Sequence, residues 1–91
     1  MFNFHALKAE MTAKAKWLKK ATQCTKEDKQ NDLHYALRVA ADTVDDAKSE
    51  GLVSEKRAAR YRHWLALHYM KCMVIAKYPV SVHGIAYPTH F

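Results

Sequence analysis

His68 and Cys72 stand four residues apart in a stretch without helix breakers, so on a helix both side chains reach one point beside it. That spacing suits two ligands of a zinc ion, but zinc normally takes three or four protein ligands. The chain offers no second pair of this kind, and Cys24, His5 or His34 would have to be brought to the site by folding. A buried histidine and a core thiol are the commoner use of such residues. Neither a metal nor another cofactor is expected. Lys71 beside Cys72 favours a thiolate, whereas an apolar helix around it favours an inert thiol.

Six histidines (His5, His34, His63, His68, His83 and His90) are many for 91 residues, yet they are scattered. No serine, cysteine or carboxylate is spaced with them as a catalytic set. Asp42, Asp45, Asp46 and Glu50 resemble a solvated helical face, and no glycine-rich phosphate loop occurs. The residues do not point to an enzyme.

Two other groups of side chains carry more information. The formal charge is +6 and falls in blocks. Residues 1–25 hold five lysines against Glu10, residues 26–50 four basic against seven acidic groups, and residues 51–91 six basic groups against Glu55. Lys8, Lys16, Lys19, Lys20, Lys56, Arg57, Arg60, Arg62 and Lys71 can share a surface if the first and third segments lie side by side. Lys16, Lys19, Lys20, Lys56, Arg57, Arg60 and Arg62 are then candidates for phosphate or nucleic-acid binding, with Tyr35, Trp17 or Trp64 available for base stacking. The tight turn at Gly51 before a basic helix start allows a helix-turn-helix reading, but the helix it would insert is unusually apolar after Trp64.

The second group lies in Trp64–Ala76, which is apolar on two sides of a helix at once. One side suffices for a small core. The other, Leu67, Met70 and Val74 with Trp64 nearby, has the residue types that enrich the centres of protein interfaces. Tyr78, Tyr87 and Phe91 in the C-terminal tail add aromatic area to that candidate surface. Three occupants fit it: the chain's own tail, a second copy, or another protein.

These side chains need elements to position them. Composition is ordinary for one globular domain, 49% apolar and 26% charged, and the chain is too short for a second core. Pro79, Gly84 and Pro88 all follow residue 77, leaving Gly51 as the one breaker before it, which favours long helices.

Phe4, Leu7, Met11, Ala15 and Leu18 recur at three- and four-residue spacing, predicting a helix over about 3–23 capped by Asn3. Thr25-Lys26-Glu27-Asp28 starts a second helix with the stripe Leu33, Ala36, Leu37, Ala40, Val44 and Ala47, closed by Gly51 at a left-handed position. Ser54 caps a third helix, with Ala58, Tyr61, Leu65, His68, Cys72 and Ala76 as its core face and Pro79 stopping it near Lys77.

The expected fold is all-α: an up-down-up three-helix bundle over residues 1–77, followed by an extended aromatic tail, 78–91, packing on the bundle or on a partner. No stretch is long and apolar enough to cross a bilayer. Two unpaired cysteines and the absence of a secretory pattern suit a cytoplasmic protein. The functional expectation is a small non-enzymatic module that binds another protein, an acidic one or a second copy. It would be an adaptor, regulator or inhibitor of the kind found among phage and mobile-element accessory proteins, with basic nucleic-acid binding as the alternative.

Overall fold

Short polar side chains stand where the chain must begin to coil, and each organises the helix after it. In the computed structural model, which describes residues 2–21 and 25–77, the helices are α1 (Phe4–Lys20), α2 (Lys26–Ser49) and α3 (Glu55–Ile75). Asn3 Oδ1 accepts the Ala6 N–H at 3.1 Å, and Ser54 Oγ accepts the Arg57 N–H at 3.1 Å. Thr25 and Asp28 form a reciprocal capping box, each side chain accepting the other's backbone N–H at 3.1 Å. Each cap satisfies amide donors that the first helical turn leaves open. No strand occurs among the described residues. The tail 78–91 and Cys24 lie outside them, so the readings placed on Tyr78, Tyr87 and Phe91 do too.

The helix ends are equally specific. After α2, the Leu52 N–H returns to the Ala47 carbonyl at 2.9 Å and the Gly51 N–H to that of Lys48 at 3.1 Å, a Schellman pattern. It requires positive φ at Gly51, which is 77°. At the end of α3, Lys77 takes the same left-handed region with φ 58° although it carries a Cβ. Its N–H reaches the Val74 carbonyl at 3.0 Å, and Lys29 Nζ donates to the Ala76 carbonyl at 2.9 Å. A left-handed lysine costs about 1 kcal/mol relative to glycine. Lys77→Gly is therefore expected to raise the unfolding free energy by up to about 1 kcal/mol in urea titrations.

The core follows the apolar spacing. Leu7, Met11, Ala15 and Leu18 from α1 meet Leu33, Leu37, Ala40 and Val44 from α2, all buried. From α3 come Ala58, Leu65, Tyr69, Cys72, Met73 and Ala76. The buried arc of α3 is turned relative to the sequence expectation. Ala66 and Met73 are buried, whereas Tyr61 and His68 are only half-buried, and Met70 is half-buried at the edge of the core. The cause is that α3 packs against both other helices and most extensively against α2, so its buried arc is wider than one stripe.

Side-chain pairings relate the helices. Phe4 stacks on Tyr61 and Thr12 bonds to His68, joining successive turns of α1 to successive turns of α3. Between α2 and α3 the order reverses: Lys29 meets Ala76, and Asp45 pairs with Arg62. Lys14 pairs with Asp32 at 4.0 Å between α1 and α2.

Candidate protein-docking surface

At 100° per residue, the sector of α3 opposite its core contains Lys56, Arg60, His63, Leu67, Lys71 and Val74, within about 80° of arc. Leu67 is 47% and Val74 62% exposed, and Trp64 at the border of the sector is 46% exposed. Lys56, Arg60 and Lys71 are exposed with them. The apolar and basic candidates, separate groups in the sequence, thus interleave on one helical face. Met70 stands apart, because it leans into the edge of the core.

Next to Trp64 lies a cleft of about 840 Å³ between the start of α1 and the first half of α3, lined by Phe2, Asn3, Phe4, His5, Lys8, Tyr61 and Trp64. Phe4 stacks on Tyr61 with ring centroids 4.4 Å apart, Phe2 lies 5.5 Å from Tyr61, and Trp64 lies 5.9 Å from both Phe4 and Tyr61. Lys8 Nζ sits 5.9 Å from the Phe4 ring, within cation–π range. Sequence spacing assigned Phe4 and Tyr61 to the core and gave Phe2 no role. The available signal was a pair of phenylalanines flanking the cap residue Asn3, which must meet whatever lies beside the start of α1.

The candidate phosphate-binding residues do not gather into one patch. Lys19 and Lys20 occupy the last turn of α1, whereas Lys56 and Arg57 open α3, whose first half lies beside the start of α1. The fifteen residues from Phe4 to Lys19 put about 22 Å of helix between the two ends. Lys16 lies on the stretch between them and is exposed. Arg62 is half-buried, with Nη1 3.6 Å from Asp45 Oδ1 in an ion pair too long for a hydrogen bond. Arg57 and Arg60 are exposed near Tyr61 and Trp64, so they are the members best placed to act together with the cleft.

The His68–Cys72 pair is structural in its surroundings. Thr12 Oγ1 donates to the Lys8 carbonyl at 3.0 Å. His68 Nε2 lies 2.8 Å from Thr12 Oγ1 and 3.1 Å from that same carbonyl. Because a carbonyl only accepts, the proton of the neutral ring resides on Nε2. Burial, followed by the charges of Lys8 and Lys71, holds His68 below its usual 6.5, while the hydrogen bond to the Lys8 carbonyl opposes the shift. Burial pushes the Cys72 thiol up to about 11, against weaker opposing effects from Thr12 and Lys71. At neutral pH this thiol is protonated and a poor nucleophile. Among the described residues, no cluster of three His, Cys, Asp or Glu side chains is placed to hold a metal ion.

Two outcomes follow from this network. Thr12→Val is expected to cost about 1–2 kcal/mol of unfolding free energy, since it leaves the His68 donor with a poorer partner. The unfolded chain takes up a proton near 6.5 while folded His68 resists it. Stability from this group is therefore complete above that pH and is lost as pH falls toward the folded value. Between roughly pH 7 and 5, wild type should lose stability relative to His68→Gln in paired thermal melts.

Comparisons with protein-family models, with curated proteins and with solved structures give no match. Among the described residues, no helix is long and apolar enough to cross a membrane.

Proposed function

We propose that this chain is a small non-enzymatic protein-binding module, an adaptor, regulator or inhibitor in the manner of a phage or mobile-element accessory protein, acting in the cytoplasm. The observation that carries this reading is the exposure of Leu67 and Val74 on a face of α3 that the core does not use. Apolar side chains ringed by Lys56, Arg60 and Lys71 suit an acidic partner: the apolar pair supplies anchors, and the cations speed encounter and exclude basic competitors. The reading includes an up-down-up order of helices, supported by the pairings of Phe4 with Tyr61 and of Asp45 with Arg62. The protonated Cys72 thiol, and a His68 ring whose Nε2 is engaged by Thr12 and the Lys8 carbonyl, fit the non-enzymatic part.

The test is affinity capture with the full chain, nuclease-treated, against the Leu67→Glu/Val74→Glu variant. A protein retained by wild type and lost with the variant is expected. Identical retention by both overturns the reading.

The aromatic cleft favours a second reading. Trp64 beside Lys8, Arg57 and Arg60 would let a base stack while cations hold phosphates. Titration of single-stranded DNA and RNA across salt decides it: steeply salt-dependent affinity that falls with Trp64→Ala and Arg57→Ala supports this reading, and no binding at low salt removes it.

A further inference from the structure

The acidic helix of this same protein carries a face that answers the docking surface. On α2, Asp28, Asp32, Tyr35, Val39, Asp42 and Asp46 fall within about 80° of arc, opposite its core. Tyr35 is 69% and Val39 44% exposed, and Asp28, Asp42 and Asp46 are exposed around them. Tyr35 and Val39 border a shallow groove of about 270 Å³ between α1 and α2. One face is thus an apolar pair flanked by carboxylates, and the other is an apolar pair with Lys71 between its members and Arg60 two turns before Leu67.

We propose that the outer face of α3 docks on the α2 face of a second copy of this chain. With the two helices antiparallel, Leu67 packs against Val39 and Arg60 faces Asp46, while Lys71 and Val74 lie over Tyr35 and Asp32. The proposal rests on the reading of α3 as a protein-docking surface and names its occupant. Both faces share the two features that an interface needs, exposed apolar area at the centre and charge at the rim, with opposite signs. Since Leu67 is separated from Arg60 by seven residues and Val39 from Asp46 by seven, two helical turns set the same spacing from apolar anchor to charge on each side. Each face lies opposite its own helix's core, so the two point outward on different sides of the bundle; one contact then leaves each copy an unused face, and assembly continues beyond two unless it closes into a ring.

Sedimentation equilibrium of the full chain, from about 10 µM to about 1 mM at low salt, tests this directly. The average mass is expected to rise with concentration and to fall toward the monomer in high salt. Arg60→Glu/Lys71→Glu and Asp42→Lys/Asp46→Lys should each weaken self-association by about tenfold or more. Mixing the two variants should restore it, because each then offers the other a face of opposite charge. These positions are exposed, and circular dichroism of each variant verifies the fold. A mass that stays monomeric throughout, or association that neither charge variant weakens, overturns the proposal. A monomer would leave the docking reading standing wherever affinity capture still yields a partner lost with Leu67→Glu/Val74→Glu.

Discussion

Leu65→Ala is expected to lower the unfolding free energy by about 2–5 kcal/mol, the cost of a lost apolar side chain plus the cavity it leaves. Leu65 has no accessible surface and sits where α3 meets the shared core. Domains of this size begin from the lower part of the 5–15 kcal/mol range, so this single change removes a large share of the total. In thermal melts the midpoint should drop by roughly 10–30 °C. A shift of only a few degrees would mean that the core does not close around this position.

Two residues further along, the same helix should behave in the opposite way. Leu67 lies about 200° around the helix from Leu65 and is nearly half exposed. Leu67→Glu/Val74→Glu should cost no more than about 1 kcal/mol of stability, most of it from placing a carboxylate in the last turn of α3. Glutamate is at least as good a helix former as valine, and Glu four residues before Lys71 makes a favourable pair. Partner affinity, by contrast, should fall about 100-fold or more, because two central anchors are replaced by charges that then face an acidic surface. Guanidinium unfolding run beside the binding assay separates the two effects. A stability loss above about 2 kcal/mol would show that this face is core, and unchanged affinity would show that it is not the docking site.

The contrast between these two leucines marks where sequence reasoning reached its limit. In α1 and α2 most apolar residues fall on one narrow stripe each, with Trp17, Tyr35 and Val39 as exposed exceptions, so spacing alone identifies Leu7, Met11, Ala15, Leu18, Leu33, Leu37, Ala40 and Val44 as core. Caps were equally legible, since Asn3, Thr25, Ser54 and Gly51 act within a few residues of themselves. In α3 apolar residues surround most of the helix, and periodicity no longer selects a face. Only the positions of two neighbouring helices show that Ala66 and Met73 turn inward while Leu67 and Val74 stay out.

Long-range juxtapositions were illegible for the same reason. The Phe2–Phe4–Tyr61–Trp64 cluster joins residues nearly sixty positions apart, and it exists because the start of α1 lies against α3. Arg62 looked like one more surface cation until the approach of α2 placed Asp45 beside it. The lysines at the end of α1 and the cations that open α3 are close in type but distant in space. Charge counted along the chain could not reveal that.

The most direct test of the docking face is site-specific photo-cross-linking, with a photoreactive amino acid placed in turn at Leu67, Val74 and Ala13. All three positions are exposed, and Ala13 lies on the outer side of α1. Cross-links to a protein from positions 67 and 74, and none from 13, are the predicted result. Equal cross-linking from position 13, or none from 67 and 74, would contradict the assignment of the outer face of α3 as the surface on which this protein acts.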